Sequence, residues 1–295
     1  MLEALLDARH NANNFAINES SYLGSVEPST NETQLTKDYH RVEKGLALRN
    51  TKRPFGSVVR SRLVYGLENS SGEHDFQRYA QDALIALDEW NNHGIKSDIV
   101  APRVAYPLSQ EAAGAAKDLL QSRRSVRDFD SREVEEGTLL EAFTLAANAP
   151  SVCNRQPWKA HFTTDRSVVT DVLRLQNGNA GFRSEVPALV VVSVDSRLFS
   201  GAMERNQQWI DGGIFAMSLV TALESTGLSS CMLNCSMRRG EMEAVSRRLS
   251  FEASEQVVVM IAVGYAADGL RVARSERRLP PAIGRRISSS VSHMQ

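Results

Sequence analysis

Three arginines and one serine lie within five residues of one another in this chain, as Arg123, Arg124, Ser125 and Arg127. The planar fork of a guanidinium group matches the oxygens of a phosphate, and a serine hydroxyl can add a further hydrogen bond. The cluster therefore predicts a binding site for a phosphorylated ligand. The alternative is a solvated basic turn, which is the commoner structure for such a string when it stands alone.

A second candidate stretch, residues 149–158, reads APSVCNRQPW and follows the arginine cluster after one predicted helix. Its amide side chains, Asn154 and Gln156, each offer a donor and an acceptor, which suits a heterocycle that presents both. The alternative is a turn asparagine and a surface glutamine that cap loop backbone. Trp158 follows a proline at the start of a predicted strand, so we expect it in the core. The two stretches together predict a nucleotide site around one helix.

In this order, RRSVRDF and APSVCNRQPW resemble the N-terminal flavin-binding signature of the nitroreductase family. Further matches follow at Asp211-Gly212-Gly213, Gly227-Leu228, Ser229 to Cys235, Val257 to Tyr265 and Arg277 to Pro280. The resemblance covers residues 113–295. It implies an α+β sandwich, with a central and mostly antiparallel sheet flanked by helices. It also implies bound FMN and a homodimer that holds FMN at the subunit interface.

The resemblance also implies roles for individual residues of the first cluster. Arg123, Arg124 and Ser125 are expected to hold the FMN phosphate and ribityl chain, and Arg127 the phosphate or the pyrimidine edge of the flavin.

In the second stretch, the expected cofactor-binding residues are Pro150, Ser151, Asn154 and Gln156. Asn154 is placed against the flavin or its ribityl arm, while Gln156 could serve only to brace the loop.

Two later segments complete the site that the resemblance implies. Asn234 and Cys235 stand where family members direct backbone amides at flavin N5 and O4, which stabilises the electron-rich reduced ring. Family members often have Glu-Gly or Gly at this point, so the Asn-Cys pair leaves the local turn geometry open. Arg277 and Arg278 are expected near the FMN phosphate, with Arg278 preferred and Arg274 as the next candidate. The alternative for this segment is a solvated basic tail.

The activity implied is an oxidoreductase with a ping-pong mechanism. NADH or NADPH would pass hydride to flavin N5 and leave, and an electron-poor acceptor such as a nitroaromatic, a quinone or an unidentified metabolite would then take the electrons. One alternative is a flavin-consuming or dehalogenating relative on the same fold. Another is a dimeric scaffold that has lost the flavin.

Composition excludes several other classes of function. A net charge of −1, with 42% hydrophobic and 23% charged residues, argues against a nucleic-acid or anionic-membrane surface. The start, MLEALLDARHNANN, lacks the pattern of a signal peptide, so the expected location is the cytoplasm. Six scattered histidines and three cysteines do not form a metal-ligand spacing, and no GxGxxG or GxxxxGK occurs. The phosphate must therefore be held by side chains.

The elements that position these residues follow from hydrophobic periodicity. It predicts helices over 74–92, from 109 to the arginine cluster, and over 135–148, 167–175, 205–226 and 240–249, and strands over 159–164, 188–195 and 256–264. The resemblance implies a further strand and loop over 229–235. In the helix over 135–148, we expect Leu139, Leu140, Phe143 and Ala147 to face inward. The long apolar helix over 205–226 should be central or lie at a subunit interface, with Gly212 and Gly213 permitting close helix–helix approach.

Residues 1–108 are predicted to form a helical N-terminal extension over the FMN domain of residues 109–295. Within it, residues 1–37 are expected to form a short helix and then a polar arm. The run DYHRVEKGL and the following FG resemble a segment of nitroreductase-like proteins associated with surface-polysaccharide gene clusters. The alternative is a structural arm that packs on the dimer.

Overall fold

The computed structural model describes residues 2–15, 28–70, 73–104 and 107–287. Within those ranges the helices and strands follow in this order: α1 (Leu2–Asn14), α2 (Pro28–Ala47), α3 (Ser57–Glu68), α4 (Asp75–His93), α5 (Gln110–Ser122), α6 (Glu136–Ala146), β1 (Trp158–Thr163), α7 (Arg166–Leu175), β2 (Ala188–Asp195), α8 (Gln207–Ser225), β3 (Ser229–Asn234), α9 (Arg239–Arg248), β4 (Glu255–Gly264) and α10 (Pro280–Ile283).

The four strands form one antiparallel sheet in the order β1-β2-β4-β3. All eight residues of β2 are buried, as its run of apolar and β-branched side chains predicts for a strand covered on both faces. Helices α6 and α8 cover one face, and α7 and α9 cover the other. The predicted α+β fold, a central antiparallel sheet between helices, is confirmed.

Helix α8 lies against the sheet along a face that begins at Gly212. A Cβ atom at Gly212 would stand 2.7 Å from Cγ2 of Val258 and 3.1 Å from Cγ1 of Val194, whereas one at Gly213 would meet nothing within 4 Å. Gly212 therefore permits close approach of the helix to the sheet. The expectation of a helix–helix contact was wrong for Gly212, because the neighbouring atoms belong to β2 and β4.

The buried face of helix α6 is rotated by about one residue from the predicted face. Leu139, Ala142 and Ala146 are buried, while Leu140 is 47% exposed and Ala147 is exposed. Small alanines allow α6 to pack against α8, and they were overlooked because larger apolar residues stand beside them. The prediction that Leu140 and Ala147 point inward was wrong.

Most of the N-terminal region is helical. Helices α2, α3 and α4 enclose a core of their own that includes Leu35, Leu46, Leu63 and Leu87. Residues 28–37, expected in a polar arm, instead form the first half of α2, and residues 16–27 of that arm lie outside the described ranges. The division at residues 108 and 109 stays a prediction. No described helix has the length and apolarity needed to cross a membrane.

Candidate functional site

The arginine cluster lies beside the outer strand of the sheet. Helix α5 ends at Ser122, with Arg123 as its C-cap, and the chain then runs next to β3. There Ser125 pairs with Ser230, and the backbone N–H of Val126 donates to the carbonyl of Ser230 at 3.0 Å. Nη1 of Arg124 donates to the carbonyl oxygens of Gln121, Ser122 and Arg123 at the end of α5. A basic side chain at a helix C-terminus is stabilised in this way, and the contact fixes the direction of the guanidinium group.

The structure brings part of the C-terminal basic segment to the same place. A cleft of about 400 Å³ is lined by Leu120, Gln121, Arg124, Arg274, Ser275, Glu276 and Arg277. Three arginines face one glutamate there, so the lining has a net charge of +2. Arg274 pairs with Glu276 at 2.5 Å. Arg277, together with the second candidate Arg274, thus reaches the first cluster, while Arg278 is not among the residues that line the cleft.

Two buried polar groups beside this cluster have no hydrogen-bond partner within the described part of the chain. They are Oγ of Ser230 on β3 and Oε2 of Glu224 on α8. Burial raises the pKa of Glu224, and the charges of Arg123 and Arg124 act in the opposite direction. An unpaired buried polar group costs roughly 1–3 kcal/mol, so these atoms mark a place where a ligand can supply partners. The set of guanidinium, hydroxyl and carboxyl groups fits a ligand that carries both anionic oxygens and hydroxyl groups, as a ribityl phosphate does.

The second predicted stretch forms a tight turn after α6. Residues Val152–Asn154 make one turn of 3-10 helix, and φ is positive at Cys153 (51°), Asn154 (55°) and Gln156 (47°). The backbone N–H of Gln156 donates to Oγ of Ser151 at 2.9 Å. Asn154 is half-buried and Gln156 is exposed. Positive φ is unfavourable for residues with a Cβ, so the turn depends on contacts that hold it.

A largely buried ion pair between Arg155 and Glu204 stabilises this turn. The side chain of Arg155 is 0% exposed and donates to both carboxylate oxygens of Glu204, at 2.9 and 2.8 Å. Burial would raise the pKa of Glu204, but hydrogen bonds from Arg155 and from the backbone of Ser200 outweigh it and the pKa is lowered. Sequence reasoning passed over Arg155, although it stands between two predicted site residues, because its partner is 49 positions away.

Asp211 supports the turn at a further point. Its carboxylate accepts a hydrogen bond at 3.1 Å from the backbone N–H of Val152 and another at 2.8 Å from Gln207. Burial raises the pKa of Asp211, and these two hydrogen bonds lower it by less. Trp158, just after the turn, is half-buried and stacks on Phe215 with ring centroids 4.9 Å apart, so it packs against the core in which it was expected.

The two predicted halves of the site lie at opposite ends of α8. Asp211 contacts the turn near the first residues of the helix, and Glu224 stands beside the arginine cluster near its last residues. Thirteen residues at 1.5 Å per residue separate these positions by about 20 Å. Within a single chain, the arginine cluster and the amide-bearing turn therefore do not bind the same part of a ligand.

The turn after β3 has a geometry that asparagine itself stabilises. Oδ1 of Asn234 accepts from the backbone N–H of Ser236 at 3.1 Å, and the carbonyl of Asn234 accepts from Nε2 of Gln176 at 2.9 Å. The side chain of Cys235 points into the core on the α7 and α9 side, where burial raises the pKa of its thiol to about 11. Cys235 is therefore a neutral thiol at pH 7.

One face of α8 remains exposed although it is apolar. Trp209, Ile210, Ile214 and Met217 are 39%, 50%, 36% and 44% exposed. The last three lie at i, i+4 and i+7 and so share one side of the helix, with Gly213 between them. This side is opposite the sheet.

Comparison with known proteins gives a consistent result. The profile of the nitroreductase family matches residues 120–175 and 161–265. Nitroreductase NfnB of Mycolicibacterium smegmatis is 26% identical over 215 residues, which cover 56% of this chain and 91% of the relative. A 4-nitrobenzoate reductase of a Nocardioides species is 36% identical over 69 residues, or 23% of this chain and 26% of the relative.

A solved structure shows the same fold. The BluB-like flavoprotein of Clostridium difficile 630 superposes with a TM-score of 0.50 at 19% identity, covering 59% of this chain and 99% of that protein. Its fold, the family profile and the order of the matched segments agree. The chain therefore belongs to the nitroreductase family of oxidoreductases.

Proposed function

We propose that this protein is an FMN-dependent oxidoreductase that takes reducing equivalents from NADH or NADPH. The observation that carries the proposal is the basic cleft of Arg124, Arg274 and Arg277, next to the unpaired groups of Ser230 and Glu224. Guanidinium groups bind phosphate oxygens, and Ser230 and Glu224 offer a hydroxyl and a carboxyl group for the hydroxyls of a ribityl chain. The name of the BluB-like flavoprotein of Clostridium difficile agrees with a flavin cofactor.

We place FMN along the outer strand β3. Its first residues adjoin Ser125, and its last residue is Asn234, four positions beyond Ser230. At roughly 3.3 Å per residue the two ends are about 13 Å apart, which is on the scale of an extended FMN molecule. Met232 and Asn234 are exposed on one side of the strand and Cys231 and Leu233 are buried on the other, so the exposed side is the one available to the flavin.

We infer that two copies of the chain assemble to complete the site. The amide-bearing turn of one protomer is about 20 Å from its own arginine cluster along α8. If two copies of α8 pack antiparallel through Ile210, Ile214 and Met217, the turn of each protomer is brought toward the arginine cluster of the other. Gly213 lies in this face and has no neighbour within 4 Å of a Cβ built on it, so close contact between the two helices is sterically allowed.

When bound, FMN would supply the hydride chemistry that links a nicotinamide donor to an electron-poor acceptor, in the ping-pong order that we propose. The chain contributes binding of the phosphate through Arg123, Arg124, Ser125 and Arg127, and backbone N–H groups at Asn234 and Cys235 toward the ring. Acceptors with a low-lying empty orbital, such as a nitroaromatic or a quinone, fit this chemistry. No acid or base side chain is needed for it.

Substitution of both Arg123 and Arg124 by alanine tests the proposal. Hydrogen bonds to charged groups are worth roughly 1.5–3 kcal/mol, so loss of two such contacts should weaken FMN binding by at least a hundredfold. The dissociation constant is measured by quenching of FMN fluorescence. Arg103→Gln, at an exposed arginine that pairs with the exposed Asp98, is the matched control. Equal FMN affinity in all three proteins would contradict the assigned phosphate site.

A further inference from the structure

Helix α2 of the N-terminal region is buried on all sides in its middle part. Seven consecutive residues, from Thr33 to Tyr39, are buried, whereas a helix on a protein surface buries one stripe. One side of α2 packs against α3 and α4, and the other packs against the turns of residues 152–154 and 196–198. The helix therefore touches the turn that we assign to flavin binding.

A continuous path of hydrogen bonds joins α2 to this turn. Nζ of Lys37 donates to Oγ of Ser200 at 3.3 Å, and the backbone N–H of Ser200 donates to Glu204 at 2.7 Å. Glu204 in turn accepts both hydrogen bonds from Arg155. Nε of Arg155 donates to the carbonyl of Val152 at 3.2 Å, inside the turn itself.

Burial makes each member of this path depend on the others. Lys37 is 8% exposed and the Arg155 side chain is 0% exposed. A buried charge is tolerated when it is paired and hydrogen-bonded, and removal of one partner leaves the other unpaired. The Arg155 guanidinium also lies over the ring of Phe199, 5.5 Å from its centroid, and Phe199 contacts Phe15 just after α1. Helices α1 and α2 thus both lie near Arg155, the residue that supports the turn.

We propose that the N-terminal region is a positioning element for the flavin-binding turn, with Lys37 acting through Glu204 and Arg155. Three residues of the turn have positive φ, so its conformation is held by its surroundings. Lys37 supplies the cation on the α2 side of Glu204, and Arg155 supplies the one on the turn side. Through them α2 sets the orientation of Asn154, and hence the affinity for FMN. This inference rests on the proposed FMN function.

The variant Lys37→Met tests the positioning role, because methionine keeps the length and apolar stem of the lysine side chain and removes its charge. Arg60→Gln is the control. Arg60 joins α3 to α4 through Asp88 in the same helical region and has no part in the path to the turn. We expect Lys37→Met to raise the FMN dissociation constant at least tenfold and Arg60→Gln to leave it unchanged. We also expect faster hydrogen exchange at residues 152–156, with the amides of β2 and β4 as protected as in the wild type.

Glu204→Gln provides an independent second variant at the centre of the path. It should produce the same local exchange and the same loss of FMN affinity, and if it fails to fold, the Lys37→Met result decides. Unchanged FMN affinity and unchanged exchange at 152–156 in Lys37→Met would overturn the positioning role while leaving the FMN function intact. Wild-type protein that binds no FMN would overturn both. Faster hydrogen exchange in every helix and strand would show a general loss of stability and would also overturn the positioning role.

Discussion

Substitution of Gly212 by alanine tests how α8 is seated on the sheet. The added Cβ would stand 2.7 Å from Val258 and 3.1 Å from Val194, inside the 3.4 Å at which ordinary contact begins. Either α8 moves outward by about 0.7 Å or the two valines shift. Overpacking of this kind costs roughly 1–3 kcal/mol, and replacing glycine by alanine in a helix recovers up to about 1 kcal/mol. The net expectation is a destabilisation of about 1 kcal/mol.

The matched control is Gly240→Ala in α9, where a Cβ would meet nothing within 4 Å. There only the helix preference acts, so the control should be as stable as the wild type or more stable, by up to about 1 kcal/mol. Thermal unfolding followed by circular dichroism measures both variants, and 1 kcal/mol corresponds to roughly 2–4 °C in a protein of this size. If Gly212→Ala is stabilised as much as Gly240→Ala, then Gly212 does not face β2 and β4 and the packing described for α8 is wrong.

Three further predictions concern the site and its support. Arg277→Gln should weaken FMN binding about tenfold or more, measured by fluorescence titration, whereas an exposed arginine outside the cleft, changed in Arg166→Gln, should leave it unchanged. Ile210→Glu should yield a monomer by light scattering and lose FMN, while Ile85→Glu on α4 should keep the wild-type mass. Burial raises the pKa of Glu255, but hydrogen bonds from His161, Ser193 and Lys159 outweigh it and lower the pKa to about 2. The stability that Glu255 contributes is therefore complete above its ordinary pKa of 4.5 and is lost as pH falls toward 2, so urea unfolding of Glu255→Gln should lack this part of the pH dependence.

Local sequence signals predicted most of the fold because they act over a few residues. Asp165 is a preferred type of residue for a helix N-cap and caps α7, where its carboxylate accepts from the backbone N–H groups of Ser167 and Val168. Gly94 ends α4 in the left-handed conformation, which glycine adopts without steric cost. Strand β2 was identified from its unbroken apolar run. Hydrophobic periodicity did not predict helix α2, because its buried residues include Thr33, Lys37 and Asp38, which periodicity counts as polar.

The ion pairs and hydrogen bonds that hold the candidate site in place could not be predicted from the sequence, because the residues that form them are far apart in the chain. Arg155 pairs with Glu204, and Lys37 approaches the same carboxylate from a helix more than 160 positions earlier. No spacing rule relates such residues. The motif stretches themselves were found, since each is contiguous, but their separation along α8 depends on the packing of that helix. The residue-level assignments to FMN stay predictions.

The most direct test of the central claim is the visible absorption spectrum of the purified protein, supplied with FMN if necessary, before and after anaerobic addition of NADH and of NADPH. We expect a protein-bound flavin spectrum that bleaches with at least one nicotinamide donor and returns when a nitroaromatic or quinone is added. A protein that remains colourless after incubation with FMN and gel filtration would contradict it and favour a scaffold without flavin.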